Sequence, residues 1–421
     1  MHPQVSTYVV GAGLHGCLTA WKIKKQHPGT TVKLVDSADQ VMSGFGPVSI
    51  HGNQINNGFH AIELPRARDF FDFLEKELNL DLHCKKDMRK MIIDGHVVDY
   101  RQNLHSYPNE IKDLFLTDTV IRGSVADLYA GVSEDHKRIL RAVSKRYSDD
   151  FESVAHLLIP WFCPPNYILN SSDEGDQFRN SLRAGEIESY CAWPSSGLFS
   201  QLQSPFDQAL REIGVDILLS TKVQFSDDGV KLYPDNGGEL AVDPTTDAFY
   251  LCSAPVGLIR HISQNLSRNI TGNPRDLYQV LLCGKAIDNC TPFTEILCCD
   301  PNIVPLSRIS RALIGEPSEC FLQLEMYFRS DEEPTDGFLS EAVRYINAKM
   351  SSLGYRDFRL VGLAKSRTVY FPDQNVTELA INSVKSWSSK FPNMQILKSF
   401  GPINMAKAWA YSDDNQKLSL E

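Results

Sequence analysis

Three glycines at the spacing Gly11-x-Gly13-x-x-Gly16 follow an apolar, β-branched run and precede a helical pattern of apolar residues. A strand, a glycine turn and a helix in this order begin a β-α-β unit, in which the glycines allow a tight turn and close approach of the backbone to a pyrophosphate. The glycine spacing alone also fits an ordinary glycine-rich turn.

The next predicted strand, TVKLVD, ends at Asp36, where a carboxylate can accept hydrogen bonds from both hydroxyls of an adenosine ribose. An acid at this position disfavours a 2′-phosphate, so NADP fits poorly. With strand, glycines, helix, strand and acid in order, the motif predicts that this segment binds the ADP half of a dinucleotide. Leu14, His15 and Ser37 flank these residues and are included in the predicted cofactor site.

Composition excludes several other classes of protein. The 421-residue chain has a formal net charge of -10 and no long cluster of Lys and Arg, so nucleic acid is not an expected partner. No apolar stretch approaches the roughly 20 residues that span a bilayer, and no signal peptide precedes the first strand. The ten cysteines form no Cys-x-x-Cys pair and no zinc spacing with histidine, which predicts reduced thiols, no metal site and a cytoplasmic location.

The pattern along the chain predicts an α/β fold with a Rossmann-like dinucleotide-binding domain (a parallel sheet), an interleaved mixed-sheet substrate domain and a helical insertion. RARDFFDFLEKELN places Phe70, Phe71, Leu74 and Leu78 on one helical face, and KMIIDGHVVDY reads as a hairpin. We expect a discontinuous dinucleotide-binding domain (1–105, 190–265 and 375–421), the insertion at 106–189 and a substrate domain at 266–374; the β-α-β unit alone does not decide between FAD and NAD.

Short blocks distributed along the chain resemble the FAD-dependent amine oxidase and protoporphyrinogen oxidase superfamily, with a layout similar to that of UDP-galactopyranose mutase. The blocks are VVGAGLHGCLTAWKIKK, VDSADQVMSGFG, NNGFHAIELP, AWPSSGL, TKVQF and LCSAP. The resemblance implies non-covalent FAD, with the glycine turn at its pyrophosphate and Asp36 at its ribose. It also implies that the cofactor contacts Gly44, Phe45, Gly46, Gly58, Phe59, His60, Val223, Ala254, Pro255, Gly401, Asn404 and Met405. The chain departs from the superfamily pattern where Phe45 separates two usually adjacent glycines, and at Pro402 and Ala406.

The resemblance places GFHAIE along one face of the flavin ring, so that His60 could hydrogen-bond near the reactive N5 and Glu63 could act as an acid or base. A structural histidine and a solvated or helix-capping glutamate are the alternatives. Trp193 is a further candidate for the catalytic site, and Tyr190, Trp193, Arg179 and Arg183 are candidates for substrate binding. Ordinary core aromatics and surface arginines remain open, and Arg308 and Lys365 are weaker candidates.

The resemblance implies a flavoenzyme, and the predicted function is an FAD-dependent oxidoreductase of the oxidase, dehydrogenase or desaturase type. Hydride transfer from a small organic or amine-bearing substrate to flavin N5 is the expected reaction. A non-redox mutase acting on a nucleotide sugar is the alternative, although Pro402 and Ile403 replace part of its phosphate grip. A flavin-free binding protein on the same fold is a third possibility, disfavoured by the complete glycine set with Asp36. The sequence predicts neither the substrate nor the oligomeric state.

Overall fold

The computed structural model describes residues 6–58, 61–64, 67–93, 95–99, 134, 146, 190–226, 229–243, 246–252, 273–312, 319–371, 389 and 393–396. The helices in these ranges are α1 (Leu14–Gln26), α2 (Arg68–Lys76), α3 (Gln203–Glu212) and α4 (Asp336–Ser351). The strands are β1 (Ser6–Val10), β2 (Thr31–Val35), β3 (Val48–Ile50), β4 (Asn53–Ile55), β5 (Ile62–Leu64), β6 (Leu82–Lys86), β7 (Lys90–Ile93), β8 (His96–Asp99), β9 (Tyr190–Pro194), β10 (Val215–Leu218), β11 (Thr221–Ser226), β12 (Gly229–Pro234), β13 (Leu240–Val242), β14 (Ala248–Leu251), β15 (Asn273–Ala286), β16 (Glu295–Cys299), β17 (Leu306–Ala312), β18 (Cys320–Arg329), β19 (Tyr355–Phe371) and β20 (Met394–Ile396).

The first layer is a five-stranded parallel sheet in the order β10-β2-β1-β14-β20. The strand order reverses at β1, because β2 and β10 lie on one side of it and β14 and β20 on the other. In open α/β sheets, ligands bind in the crevice beyond the carboxyl ends of the strands at such a switch point. The predicted β-α-β unit is confirmed, and its glycine turn lies at this crevice.

The core of the first layer joins distant parts of the sequence. Apolar residues of α1, α2 and α3 pack with the five-stranded sheet and with the small β5-β9-β6 sheet in one cluster. Phe70, Phe71, Leu74 and Leu78 are all buried in it, so the helical face predicted from the sequence is confirmed. Burial of these side chains, and not helix propensity, holds α2 in place, since nine residues make a marginal helix in water.

The second layer is a seven-stranded sheet in the order β19-β15-β18-β17-β16-β7-β8. All its pairs are antiparallel except β16 with β7. The β7–β8 hairpin predicted from KMIIDGHVVDY is confirmed, and these two strands join the second sheet although they lie within 1–105. Helix α4 covers one face through Leu339, Ala342 and Ile346, which pack on apolar residues of β15, β17 and β18.

No helix in the described part of the chain is long and apolar enough to cross a membrane.

Phe206 lies in the core where α3 packs on the first layer, so a substitution at this residue tests that packing. Its side chain is 1% exposed and its ring centroid lies 5.6 Å from that of Phe73 on α2. We expect Phe206→Ala to lower the free energy of unfolding by about 3–5 kcal/mol in urea titrations, because it leaves a cavity that the surrounding helices fill only in part. Ser204→Ala, at an exposed position of the same helix, is the control. A loss below about 1 kcal/mol in Phe206→Ala would contradict this packing.

Candidate functional site

The glycine turn between β1 and α1 depends on a close approach of two backbone segments. A Cβ atom on Gly16 would lie 1.7 Å from the carbonyl oxygen of Gly11 and 3.5 Å from the Cβ of Cys252. Gly11 itself has φ of 105°, in the region that favours glycine, and its N–H donates to Val35 O at 2.8 Å. Gly11 and Gly16 are therefore required by the fold of the turn itself.

Gly13 differs from the other two glycines because it faces open space. It is the N-cap residue of α1, is exposed, and has no atom within 4 Å of the position of a Cβ. No side chain caps the helix at this residue, and the first turn of α1 contains no acidic residue. The N–H groups and the positive end of the helix dipole at such an N-terminus favour an anion. Gly13 is thus where a pyrophosphate can approach the backbone.

Asp36 is held in place by backbone amides on both sides of it. Its Oδ2 accepts a hydrogen bond from Ala12 N at 2.5 Å, and its Oδ1 accepts one from Ala38 N at 2.8 Å. The side chain is only partly buried, and a carboxylate has about four acceptor positions, so the two oxygens retain capacity for ribose hydroxyls. The structure brings the predicted ribose acid into direct contact with the predicted pyrophosphate turn.

The remaining predicted residues of the adenosine end lie close to Asp36. Thr221 N donates to Asp36 O at 2.8 Å and Ser220 N to Ala38 O at 2.7 Å, so the start of β11 borders the Asp36 segment. Val223 follows in β11, where its side chain is buried against the five-stranded sheet. Ser37 is exposed beside Asp36, whereas Leu14 and His15 are buried in the first turn of α1.

The loop with Gly44, Phe45 and Gly46 is anchored to the turn and to the core. Met42 N donates to Ala12 O at 2.6 Å, which ties the loop to the glycine turn. Phe45 is 4% exposed and its ring lies 6.3 Å from that of Phe199, so its side chain contributes to the core. A Cβ on Gly44 would meet no atom within 4 Å. The backbone around Gly44, and not the Phe45 ring, is the part of this loop open to a ligand.

Two thiols, the buried Cys17 and the partly buried Cys252, lie next to the glycine turn. Cys17 Sγ donates to Ala12 O at 3.3 Å, and Cys252 Sγ to Thr19 Oγ1 at 3.7 Å. Burial raises the pKa of Cys252 to about 12, and burial together with the nearby Asp36 carboxylate raises the pKa of Cys17 further. Both thiols remain protonated at neutral pH, so neither opposes binding of a phosphate at this turn.

Gly58 lies at the opposite end of the candidate site, against the seven-stranded sheet. It has φ of 83°, and a Cβ there would lie 2.9 Å from Arg367 Nη2 and 3.7 Å from Glu325 Oε1. The sheet face beside it, directed away from α4, carries polar residues that we call the polar face. Its members are Gln279, Glu295, Arg308, Ser310, Gln323 and Glu325.

The polar face contains charged groups that are paired with each other. Arg308 Nε lies 2.6 Å from Glu295 Oε1 and 3.9 Å from Glu325 Oε2. Arg308 is 31% exposed while both carboxylates are almost entirely buried. The sequence indicated Arg308 only as a weak candidate and did not point to Gln279, Gln323, Glu325 or Arg367. The alternation of polar and apolar residues in CFLQLEMYF was the available signal.

The predicted substrate residues Tyr190 and Trp193 lie in the same strand, β9, but differ in exposure. Trp193 is 8% exposed and packs in the core of the first layer, whereas Tyr190 is 38% exposed at the start of β9. Glu63 lies in β5, opposite Cys191. Lys365 pairs with Asp276 at 2.6 Å. The other predicted site residues lie outside the described residues: Phe59, His60, Arg179, Arg183, Ala254, Pro255, Gly401, Asn404 and Met405.

Comparison with known proteins supports this description of the fold. Residues 9–76 match the family model of the NAD(P)-binding Rossmann-like domain. A comparison with curated protein sequences gives no match.

Among solved structures, reduced UDP-galactopyranose mutase is similar with a TM-score of 0.64 and 11% identity over 97% of this chain and 91% of that one. A protein from Exiguobacterium sp. 255-15, provisionally assigned as a protoporphyrinogen oxidase, gives a TM-score of 0.61 and 12% identity over 97% of both chains. A triple mutant of putrescine oxidase gives 0.60 and 13% over 97% of both chains. At these identities the likeness concerns the fold. The chain shares the fold of these three proteins, and its first part is a Rossmann-like nucleotide-binding domain.

Gly16 and Gly13 allow the structural and ligand-facing roles of the turn to be separated. We expect Gly16→Ala to lower the free energy of unfolding by about 3 kcal/mol or more, because the new Cβ would collide with a backbone oxygen. Gly13→Ala should change it by less than about 1 kcal/mol, since the position is open and its φ is -70°. Urea unfolding of both variants measures the difference. Equal stability of the two variants would contradict the observed turn.

The raised pKa values of the Cys17 and Cys252 thiols predict their reactivity. Because the thiolate is the nucleophile, Cys17 and Cys252 should resist iodoacetamide in the folded protein at pH 8, and exposed Cys84 should be alkylated first. Peptide mass spectrometry before and after unfolding in urea identifies the modified residues. Rapid labelling of Cys252 in the folded chain would show that the turn is open to solvent.

Proposed function

We propose that the chain is an FAD-dependent oxidoreductase that binds FAD non-covalently and oxidises a small organic or amine-bearing substrate. The observation that carries the proposal is the contact between Asp36 and Ala12, which joins a ribose-binding acid to a turn at the N-terminus of α1. Bound FAD would supply the two-electron acceptor, taking a hydride from the substrate at N5.

The described residues are suited to an extended cofactor that begins at Asp36. Asp36 would accept hydrogen bonds from the ribose, and the N-terminus of α1 would bind the pyrophosphate. The backbone near Gly44 would lie beside the part of the cofactor that follows the pyrophosphate. We further propose that Gly58 lies at the flavin ring, as the resemblance of the NNGFHAIELP block implies. The left-handed backbone of Gly58 and the Arg367 guanidinium packed on it fit a close approach of the ring to the main chain.

The polar face beside Gly58 lies inside the protein. Gln279, Ser310, Gln323 and Glu325 are at most 4% exposed, and the two glutamines and Glu325 bond one another. We therefore do not propose that these groups bind the substrate. His60 and Glu63 are our candidates for proton transfer, and Trp193, Tyr190, Arg179 and Arg183 remain candidates for contact with the substrate.

A second candidate function is that of a non-redox mutase. It is favoured by the exposed Arg367 guanidinium beside Gly58 and by the partly exposed Arg308, which lies 3.9 Å from the Glu325 carboxylate. Arginines in such a position can bind phosphate oxygens in a bidentate manner, as a nucleotide-sugar substrate would require. The two functions differ in the fate of the electrons: an oxidoreductase leaves the flavin reduced by its substrate, and a mutase leaves its redox state unchanged.

Asp36 gives the direct test of cofactor binding. We expect purified protein to show flavin absorption or to take up added FAD, and we expect Asp36→Asn to raise the dissociation constant by about tenfold or more through loss of charge-assisted hydrogen bonds. Asp39→Asn, which changes the net charge equally at an exposed position of the same loop, should leave it within about twofold. Fluorescence titration with FAD measures both constants. A colourless wild-type protein that binds no FAD would instead support the flavin-free binding protein.

A screen under anaerobic conditions distinguishes the two chemistries. If the chain is an oxidoreductase, mixing the oxidised holoprotein with its substrate bleaches the visible flavin band, whichever acceptor later reoxidises it. If it is a mutase, only the dithionite-reduced holoprotein interconverts a nucleotide sugar, without consuming an oxidant. The panel should contain small amines, alcohols and nucleotide sugars. Isomerisation by the reduced form without bleaching by any compound would refute the oxidoreductase.

A further inference from the structure

Strand β18 has two buried faces of opposite character. Leu322, Leu324 and Met326 pack towards α4, whereas Gln323 and Glu325 point to the other side and are 2% and 4% exposed. A strand buried on both faces is normally apolar throughout, because a buried polar group without a hydrogen bond is costly. The hydrogen bonds that Gln323 and Glu325 make therefore indicate what these residues do.

Gln279, Gln323 and Glu325 form a directed series of hydrogen bonds that we call the amide relay. Gln279 Nε2 donates to Glu325 Oε1 at 3.4 Å, and Gln323 Nε2 donates to Gln279 Oε1 at 2.8 Å. An ionised carboxylate only accepts hydrogen bonds, so Glu325 fixes the orientation of the Gln279 amide. The oxygen of Gln279 in turn orients the amide of Gln323.

The amide relay ends on the main chain of the other layer. Gln323 Nε2 also donates to the backbone oxygen of Asn56 at 2.6 Å, across 267 residues of sequence. The Asn56 side chain donates to Gly197 O at 2.7 Å and accepts from Phe199 N at 2.8 Å. Asn56 thus joins the second sheet to the turn that precedes α3, which packs on the first.

Gly58 lies two residues beyond this junction and faces the same carboxylate. The position of its Cβ would be 3.7 Å from Glu325 Oε1, and Arg367 packs closer still. The amide relay therefore holds the segment Asn56–Gly58 at Asn56. At Gly58 the segment lies next to the Glu325 carboxylate, which orients the relay. A shift of Asn56 would move Gly58 with it, because only Asn57 separates them.

We propose that Gln323 is a positioning residue: through the amide relay it fixes the Asn56–Gly58 segment at the place where this segment meets the flavin ring. The inference rests on the proposed function for the presence of the flavin. The position of the segment itself depends only on contacts within the chain. Loss of the donor group of Gln323 should release the segment while the glycine turn and Asp36 still hold the ADP half.

Gln323→Met tests this role, because methionine has a similar length and volume but no N–H donor. Leu324→Met is the matched control, since it introduces the same residue at the adjacent position on the α4 side of β18. Hydrogen exchange at residues 55–58 measures the release of the segment without any cofactor. In the holoprotein, visible circular dichroism and the dissociation constant of sulfite, which adds at flavin N5, report the surroundings of the ring.

In Gln323→Met we expect exchange at residues 55–58 to be faster by about tenfold, as for the loss of one buried hydrogen bond. The sulfite constant should change by about fivefold or more, while the FAD constant stays within about threefold. Leu324→Met should leave all three unchanged. If Gln323→Met does not fold, Gln279→Met, which removes only the orienting partner, should give the same changes to a smaller extent.

Two results separate failure of this inference from failure of the proposed function. Equal exchange at residues 55–58 in wild type and Gln323→Met, or equal changes in the Leu324→Met control, would overturn the positioning role even if FAD is bound. A wild-type chain that binds no FAD would overturn the proposed function and the flavin part of the inference. If exchange at residues 55–58 is still faster in Gln323→Met than in wild type, the part of the inference that remains is that Gln323 holds Asn56 in place.

Discussion

The close contact between Gly16 and the carbonyl of Gly11 is the constraint on which the candidate cofactor site depends. Because of this contact, the first turn of α1 packs closely on the end of β1. Asp36, at the end of β2, then lies close enough to accept a hydrogen bond from Ala12 N. The same turn that permits the packing of helix on strand therefore places an uncapped helix terminus beside a carboxylate. One backbone conformation thus allows the close packing of α1 on β1 and leaves the backbone at Gly13 open to a ligand.

The second layer differs from the first because its seven-stranded sheet carries polar side chains that are buried inside the protein. One face of the seven-stranded sheet is sealed by α4 with apolar side chains, which supply the stability of the layer. The opposite face can then carry Gln279, Gln323 and Glu325, provided that these groups satisfy one another. Their hydrogen bonds do so and extend to the backbone of Asn56, so the polar face also joins the two layers.

In the proposed function the two sheets have different roles. The parallel sheet would hold the part of the dinucleotide that begins at Asp36, and the seven-stranded sheet would lie beside the flavin ring at Gly58. Solved structures with this fold include a putrescine oxidase and a mutase, so the fold alone does not select the chemistry. Under the proposal, Glu325 and Arg367 beside Gly58 are the described groups that would lie near the ring.

The sequence by itself determined the glycine turn, Asp36, the apolar face of α2 and the β7–β8 hairpin, because each depends on residues close together in the chain. The spacing of residues close together in the chain sets the local geometry. Glycine positions are informative because glycine adopts backbone dihedral angles that other residues rarely adopt. Only the tertiary structure showed that the Phe45 and Trp193 side chains lie in the core, that Gln323 bonds the backbone of Asn56 and that Arg367 packs on Gly58. The last two contacts join residues far apart in the sequence, and the positions of Gln323 and Arg367 are set by strand pairing and not by spacing along the chain.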